Sequence, residues 1–88
     1  MRVKFSRRFE KRYNKAPKKV RKAFDSRLGI FVADKFHPTL SNHALAGRYI
    51  EYRSINVAGD WRAIFRESDD GEIVYFDLLG THSQLYKK

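Results

Sequence analysis

The 88-residue chain contains no cysteine. That removes a disulfide framework and any thiolate metal site, leaves stability to packing, and suits a reducing cytosol. It also lacks an apolar run of about 7 to 15 residues of the kind a signal peptide needs, and far less does it hold a membrane span. Its opening residues, Met1-Arg2-Val3-Lys4-Phe5, alternate charged with apolar side chains. The expectation is a soluble, cytoplasmic protein with no membrane partner. No glycine-rich phosphate loop, His-Glu-x-x-His motif or internal repeat is present, which argues against a cofactor or a metal. Acidic residues are scarce too, at 10 against 19 Lys and Arg, for a net charge of +9.

That surplus is unevenly placed. Twelve of the 19 basic residues fall within residues 1 to 27, where only Glu10 and Asp25 oppose them. The rest of the chain is close to neutral. A field this strong on so small a surface attracts polyanions, so RNA, the ribosome or an acidic protein is the expected kind of partner. Hydrophobic residues make up 42% and aromatics 15% of the chain, too much for a disordered tail. One domain over residues 1–88 is expected, with a single core between two packed layers.

The residues from Arg2 to Phe5 read as a short strand, and Ser6 as the cap of a helix running from Arg7 to about Lys15. Phe5, Phe9 and Tyr13 recur every four residues, with Arg8, Lys11, Arg12 and Lys15 largely on the opposite side. Pro17 fits the first turn of a second helix, in which Val20, Phe24, Leu28, Phe31 and Val32 carry the apolar stripe to about residue 33. Periodicity fails from Asp34 to Gly47, which predicts a loop holding His37 and His43. Beyond it, Arg48 to Val57, Trp61 to Arg66 and Glu72 to Leu79 read as a three-stranded meander. Asp70-Gly71 predicts a type I′ hairpin turn. Residues Gly80 to Lys88 look too short and polar for another core element. The predicted fold is α+β, two-layered, in the order β-α-α-β-β-β.

Any chemistry in such a chain is acid–base chemistry. His43, Asp60, His82 and Tyr86 are the candidates for proton transfer, with Arg48, Arg53, Arg62 and Arg66 as possible cations. Cleaving RNA without a metal needs a base for the 2′-OH proton, a cation for the charge on phosphorus, and an acid for the 5′-oxygen. Histidine suits either proton-transfer role because it titrates near neutrality. Each residue also has an ordinary explanation: His82 can close a polar turn, Trp61 can be core, and Arg62 and Arg66 can populate a wet sheet face.

Three segments carry a resemblance. His43-Ala44-Leu45-Ala46-Gly47, Gly59-Asp60-Trp61-Arg62-Ala63-Ile64-Phe65 and Leu79-Gly80-Thr81-His82-Ser83-Gln84-Leu85-Tyr86, following two basic helices, resemble the YafQ-like subgroup of the RelE/ParE toxin superfamily. The resemblance implies a RelE-like fold and a metal-independent endoribonuclease that cleaves mRNA in the ribosomal A site. It further implies a cognate antitoxin as partner, with the toxin monomeric when free of it. Matched by motif, His43, Asp60 and His82 take catalytic positions, Arg62 that of a phosphate-binding arginine, and Tyr86 that of a functional aromatic. Arg48, Arg53 and Trp61 join Tyr86 as candidates for substrate binding. The chain departs from the pattern at Asn56, where many relatives carry histidine, and at Leu78, where they carry arginine. A non-catalytic module of the same fold, acting on gyrase or binding only an antitoxin, predicts that these side chains diverge instead of meeting.

Overall fold

In the computed structural model, which describes residues 1–86, Ser6 couples the first strand to the first helix. Its hydroxyl accepts the Phe9 amide at 2.9 Å and donates to the Asp77 carbonyl at 3.1 Å. Strand β1 (Arg2–Phe5) leads to helix α1 (Arg7–Lys15), and α2 (Lys18–Ala33) follows. Then come β2 (His43–Ala44), β3 (Arg53–Ala58), β4 (Trp61–Glu67), β5 (Ile73–Thr81) and the short α3 (His82–Tyr86). The sheet order is β1-β5-β4-β3-β2, with β1 parallel to β5 and the other pairs antiparallel. This is the α+β arrangement expected, with α1 and α2 on one face of a mainly antiparallel sheet.

The core lies between those helices and the sheet. Phe76 is its hub, with ring centroids 5.3 to 5.9 Å from those of Phe5, Phe9, Phe24, Phe31 and Phe65. Phe9, Phe24 and Phe31 are buried as their spacing predicts, and Tyr13 and Leu28 close the rim half-exposed. Strand β5 then breaks register: Phe65 faces Phe76 but Ile64 faces Leu78, so Asp77 is an extra residue. Past that bulge the alternation is reset, and Asp77 and Leu78 both point away from the helices. Leu78, Ile64 and Leu85 form a second, smaller core on the opposite face, joined by Leu45, Tyr49, Tyr52 and Tyr86.

Several expectations need correction: Val32, placed on the apolar stripe of α2, is 53% exposed, the loop expected from Asp34 to Gly47 holds the short strand β2, and four further differences concern turns and ends. Pro17 precedes α2 as its cap, in extended conformation (φ −55, ψ 146), instead of lying in the first turn. Its fixed φ suits either place. The run from Arg48 does not start a strand: Gly47, at φ +65, opens a 3-10 turn through Tyr49, and Tyr49 is drawn to α3, where its hydroxyl donates to the Leu85 carbonyl at 3.1 Å. The Asp70-Gly71 hairpin is not type I′, because only Gly71 has positive φ, at +73. Its turn is held by the Asp70 carboxylate, which accepts from the Ser68 hydroxyl at 2.7 Å and the Glu72 amide at 3.0 Å. Finally, the carboxy-terminal segment does contribute to a core, since Leu85 is only 2% exposed. Lys87 and Lys88 lie outside the described residues.

Phe24 touches Phe5, Phe9, Tyr13 and Phe76 through its ring. Truncating Phe24→Ala is expected to cost about 3 to 5 kcal/mol in chemical denaturation, from lost burial and the cavity left behind. A loss below about 1 kcal/mol would contradict its place in the core.

Candidate active site

The motif Gly80-Thr81-His82-Ser83-Gln84 has a structural logic of its own. Thr81 Oγ1 accepts the Gln84 amide at 3.2 Å while Gln84 Oε1 accepts the Thr81 amide at 2.9 Å. This reciprocal pair is a capping box that starts α3. Gly80 is buried beneath it, and a Cβ there would meet Gln84 Oε1 at 3.0 Å, Arg12 at 3.3 Å and Leu85 at 3.3 Å. A side chain at this position would require those three side-chain ends to shift by a few tenths of an ångström, so glycine is what lets α3 fold back without adjustment. The His82 amide donates to the Asp60 carbonyl at 2.9 Å, tying α3 to the β3–β4 turn.

Folded back in this way, α3 forms one wall of an open concavity of about 260 Å³ lined by His43, Leu45, Ser54, Arg62, His82 and Tyr86. Four of the sequence-derived site residues therefore meet. The rings of His82 and Tyr86 pack with centroids 4.6 Å apart, as one helical turn on α3 allows. Arg62 Nη1 donates to the Gly59 carbonyl at 2.8 Å and the Trp61 carbonyl at 3.0 Å, so the guanidinium is held by main chain. His43 Nδ1 lies 2.8 Å from the Ser41 carbonyl. A carbonyl only accepts, so Nδ1 carries a proton, and the lone pair of an uncharged ring is then on Nε2.

The other candidates are placed differently. Asp60 offers its main-chain carbonyl to His82, while the residue itself is exposed at the turn. Arg48 sits behind α3, its guanidinium 3.4 Å from the Leu85 carbonyl and over the Tyr49 ring. Arg53 is a strut: its Nε donates to Asn42 Oδ1 at 2.8 Å and its guanidinium covers Phe36, which holds the loop leading into His43. Trp61 points to the opposite face, against the main core. Asn56 stands opposite Arg62 in the β3–β4 register. Leu78 is core, 4% exposed beneath α3, so no phosphate contact is open to it. His37 is unrelated to the concavity, its Nδ1 accepting the Thr39 amide at 3.1 Å.

Sequence reasoning did not single out Ser54, Tyr49, Tyr52 or Asp77. Ser54 is fully buried at the concavity floor, and its hydroxyl has no hydrogen-bond partner among the described residues. Tyr49 and Tyr52 buttress α3 and the sheet, and only their aromatic character in a supposed strand could have marked them. Asp77 accepts from Arg8 at 2.5 Å and from the Tyr52 hydroxyl at 3.2 Å. Burial alone would raise its carboxyl, but donation from Arg8, Ser6 and Tyr52 outweighs that and holds it below the usual carboxylate value. Burial, with Asp77 adding to it, pushes the Tyr52 hydroxyl up, so it stays a donor.

Among the described residues, no three His, Asp or Glu side chains are grouped so as to hold a metal ion, and no helix is long and apolar enough to cross a membrane. Two amino-terminal helices on one face of a five-stranded, mainly antiparallel sheet make up the fold of RelE/ParE-type toxins. Solved structures share it: YafQ from E. coli strain BL21(DE3) superposes with a TM-score of 0.80 at 21% identity, covering 98% of this chain and 99% of that one. A YoeB/ParE toxin from Agrobacterium tumefaciens gives 0.77 at 14% identity, covering 93% and 99%. A chain of the E. coli DinJ-YafQ toxin–antitoxin complex gives 0.76 at 22% identity, covering 96% and 94%. The chain belongs to the YafQ family, the bacterial toxins of type II toxin–antitoxin systems, whose family model matches residues 1–87. No curated protein matches the sequence.

A depressed carboxyl contributes stability that is complete above its unfolded value of about 3.9 and is lost as pH falls through the folded value. Replacing Asp77→Asn is therefore expected to cost about 1 kcal/mol at neutral pH, a figure kept low by the exposure of Arg8. Denaturation of both proteins at pH 7 and at about pH 3 should show the gap closing on acidification, since the lost charge matters least there. A gap that widened would contradict the assignment.

Proposed function

We propose that this toxin is a metal-independent endoribonuclease that cuts ribosome-associated mRNA and is silenced by a cognate antitoxin. The observation that carries the reading is the meeting of His43, Arg62, His82 and Tyr86 in one open concavity of a strongly basic protein. Nε2 of His43, free to accept, takes the proton of the 2′-OH as that oxygen attacks the adjacent phosphorus. Arg62, already fixed by two carbonyls, holds the charge that builds on the phosphoryl oxygens without having to reorganise. His82 delivers a proton to the departing 5′-oxygen. The bond from phosphorus to that oxygen breaks, and the products are a 2′,3′-cyclic phosphate and a 5′-hydroxyl. Tyr86, beside His82, offers a ring on which a base can stack. Asp60 acts through its carbonyl as a positioning residue for His82. Family membership supports an antitoxin as regulatory partner, and the basic surface supports the ribosome as the place of action.

Cleavage of ribosome-bound mRNA is expected to fall about 10²-fold or more in His82→Ala and in Arg62→Ala, the usual cost of losing an acid–base group or a charge-stabilising donor. Thermal unfolding should stay close to wild type, since neither side chain is in the core. His37→Ala should cleave normally. Full activity in His82→Ala, or loss in His37→Ala, would overturn the assignment in favour of a module that binds its partners without cutting RNA.

A further inference from the structure

A second concavity, of about 390 Å³, lies on the other side of α3. Its lining includes Arg8, Lys11, Arg12 and Lys15 of α1, with Trp61 and Gln84, and among the described residues it contains no carboxylate. The four cations are spaced 8, 11, 12 and 15, which puts them on one helix face along about 10 Å. Among the described residues, Lys11 and Lys15 are exposed and make no side-chain hydrogen bond or ion pair, so no described carboxylate pairs with either. Two adjacencies connect this groove with the histidine concavity. Trp61 and Arg62 are successive strand residues, and one serves each concavity. On α3, Gln84 lines the groove while His82 and Tyr86 line the concavity. The short helix is the ridge between them.

We propose that this groove is a second RNA-binding site, which holds the phosphate backbone of the RNA strand after it has crossed α3 away from the reacting nucleotide. The proposal rests on the reading of the histidine concavity as an RNA site. The groove matches RNA in charge, because Lys11 and Lys15, unpaired among the described residues, gain by displacing counterions from phosphates, while Arg8 at the end of the row is already engaged by Asp77. It also offers Trp61, half-exposed, as an apolar ring of the kind that accepts an unpaired base. Continuity with the concavity favours the same RNA over an acidic protein. A strand seated in one site has only α3 to cross before it reaches the other.

The test measures binding of uncleavable 2′-O-methyl RNA by the full chain, using a short probe of about 4 nucleotides and a long one of about 16. The Lys11→Gln, Lys15→Gln double variant should bind the short probe like wild type and the long probe more weakly. For the long probe, its slope of log affinity against log salt should drop by about 1.4, two single-strand phosphate contacts at about 0.7 each. Arg62→Ala should weaken both probes. A double variant with an unchanged long-probe slope overturns the second site while leaving the RNA reading intact. Loss of polyglutamate binding with long-probe affinity retained would overturn it also, and assign the groove to an acidic protein. If wild type bound neither probe, the RNA reading would fail and the groove proposal with it.

Discussion

One extra residue in β5 sets the plan of the molecule. Up to Phe76 the strand's alternation feeds the helical core, and the register break between Ile64 and Phe65 on the partner strand admits Asp77 as a surplus residue. A strict two-residue period would send Leu78 to the side of Phe76. The bulge sends it to the other side. Asp77 and Leu78 then serve the second face in different ways: Asp77 takes Arg8 and Tyr52 and so ties α1 to that face, while Leu78 with Ile64 provides the apolar seat for Leu85. Without that seat, α3 would have one turn of helix and nothing to pack against, and a helix so short does not persist alone. His82 and Tyr86 owe their place to it.

The proposed active site is accordingly held by main chain more than by side chains. Carbonyls of Gly59 and Trp61 hold Arg62, the Asp60 carbonyl holds the backbone of His82, and the Ser41 carbonyl sets the tautomer of His43. Such anchors survive substitution of the residues that supply them. They also fix donors before substrate arrives, which is what stabilising a developing charge requires. Charge is divided between two regions. Among the described residues the concavity is lined by one cation, Arg62, fixed by main chain, and α1 presents a row of basic side chains across α3.

Much of this was legible in the chain. The four-residue recurrence of Phe5, Phe9 and Tyr13 and the stripe through Phe24 and Phe31 give the helical hairpin, because packing one face of a helix demands that period. The meander shows in β-branched and aromatic runs parted by Gly59-Asp60 and Asp70-Gly71. What escaped was set by tertiary contact. Arg48 to Tyr52 has strand composition but turns, since Tyr49 bonds to α3. His43-Ala44 is too short to show a period, yet it pairs with Arg53-Ser54. Helix α3 rests on a capping box and a single leucine, neither of which registers as hydrophobic periodicity. For the site, motif resemblance brought together His43, Arg62, His82 and Tyr86. It could not tell that Arg53 braces a loop and that Trp61 faces the other side, because cross-strand direction depends on registers shifted by bulges.

The central claim is that the concavity performs an internal transphosphorylation, with the 2′-oxygen as nucleophile and side chains alone moving protons. The most direct measurement programs ribosomes with an mRNA carrying a single 2′-deoxy nucleotide at the position cut in the all-ribose message, and identifies the product ends. The account predicts a 2′,3′-cyclic phosphate and a 5′-hydroxyl from the all-ribose message, and no cut at the deoxy position. Cleavage of the deoxy message at that position, leaving a 5′-phosphate and a 3′-hydroxyl, would contradict it, because such ends require attack by water instead of by the 2′-oxygen.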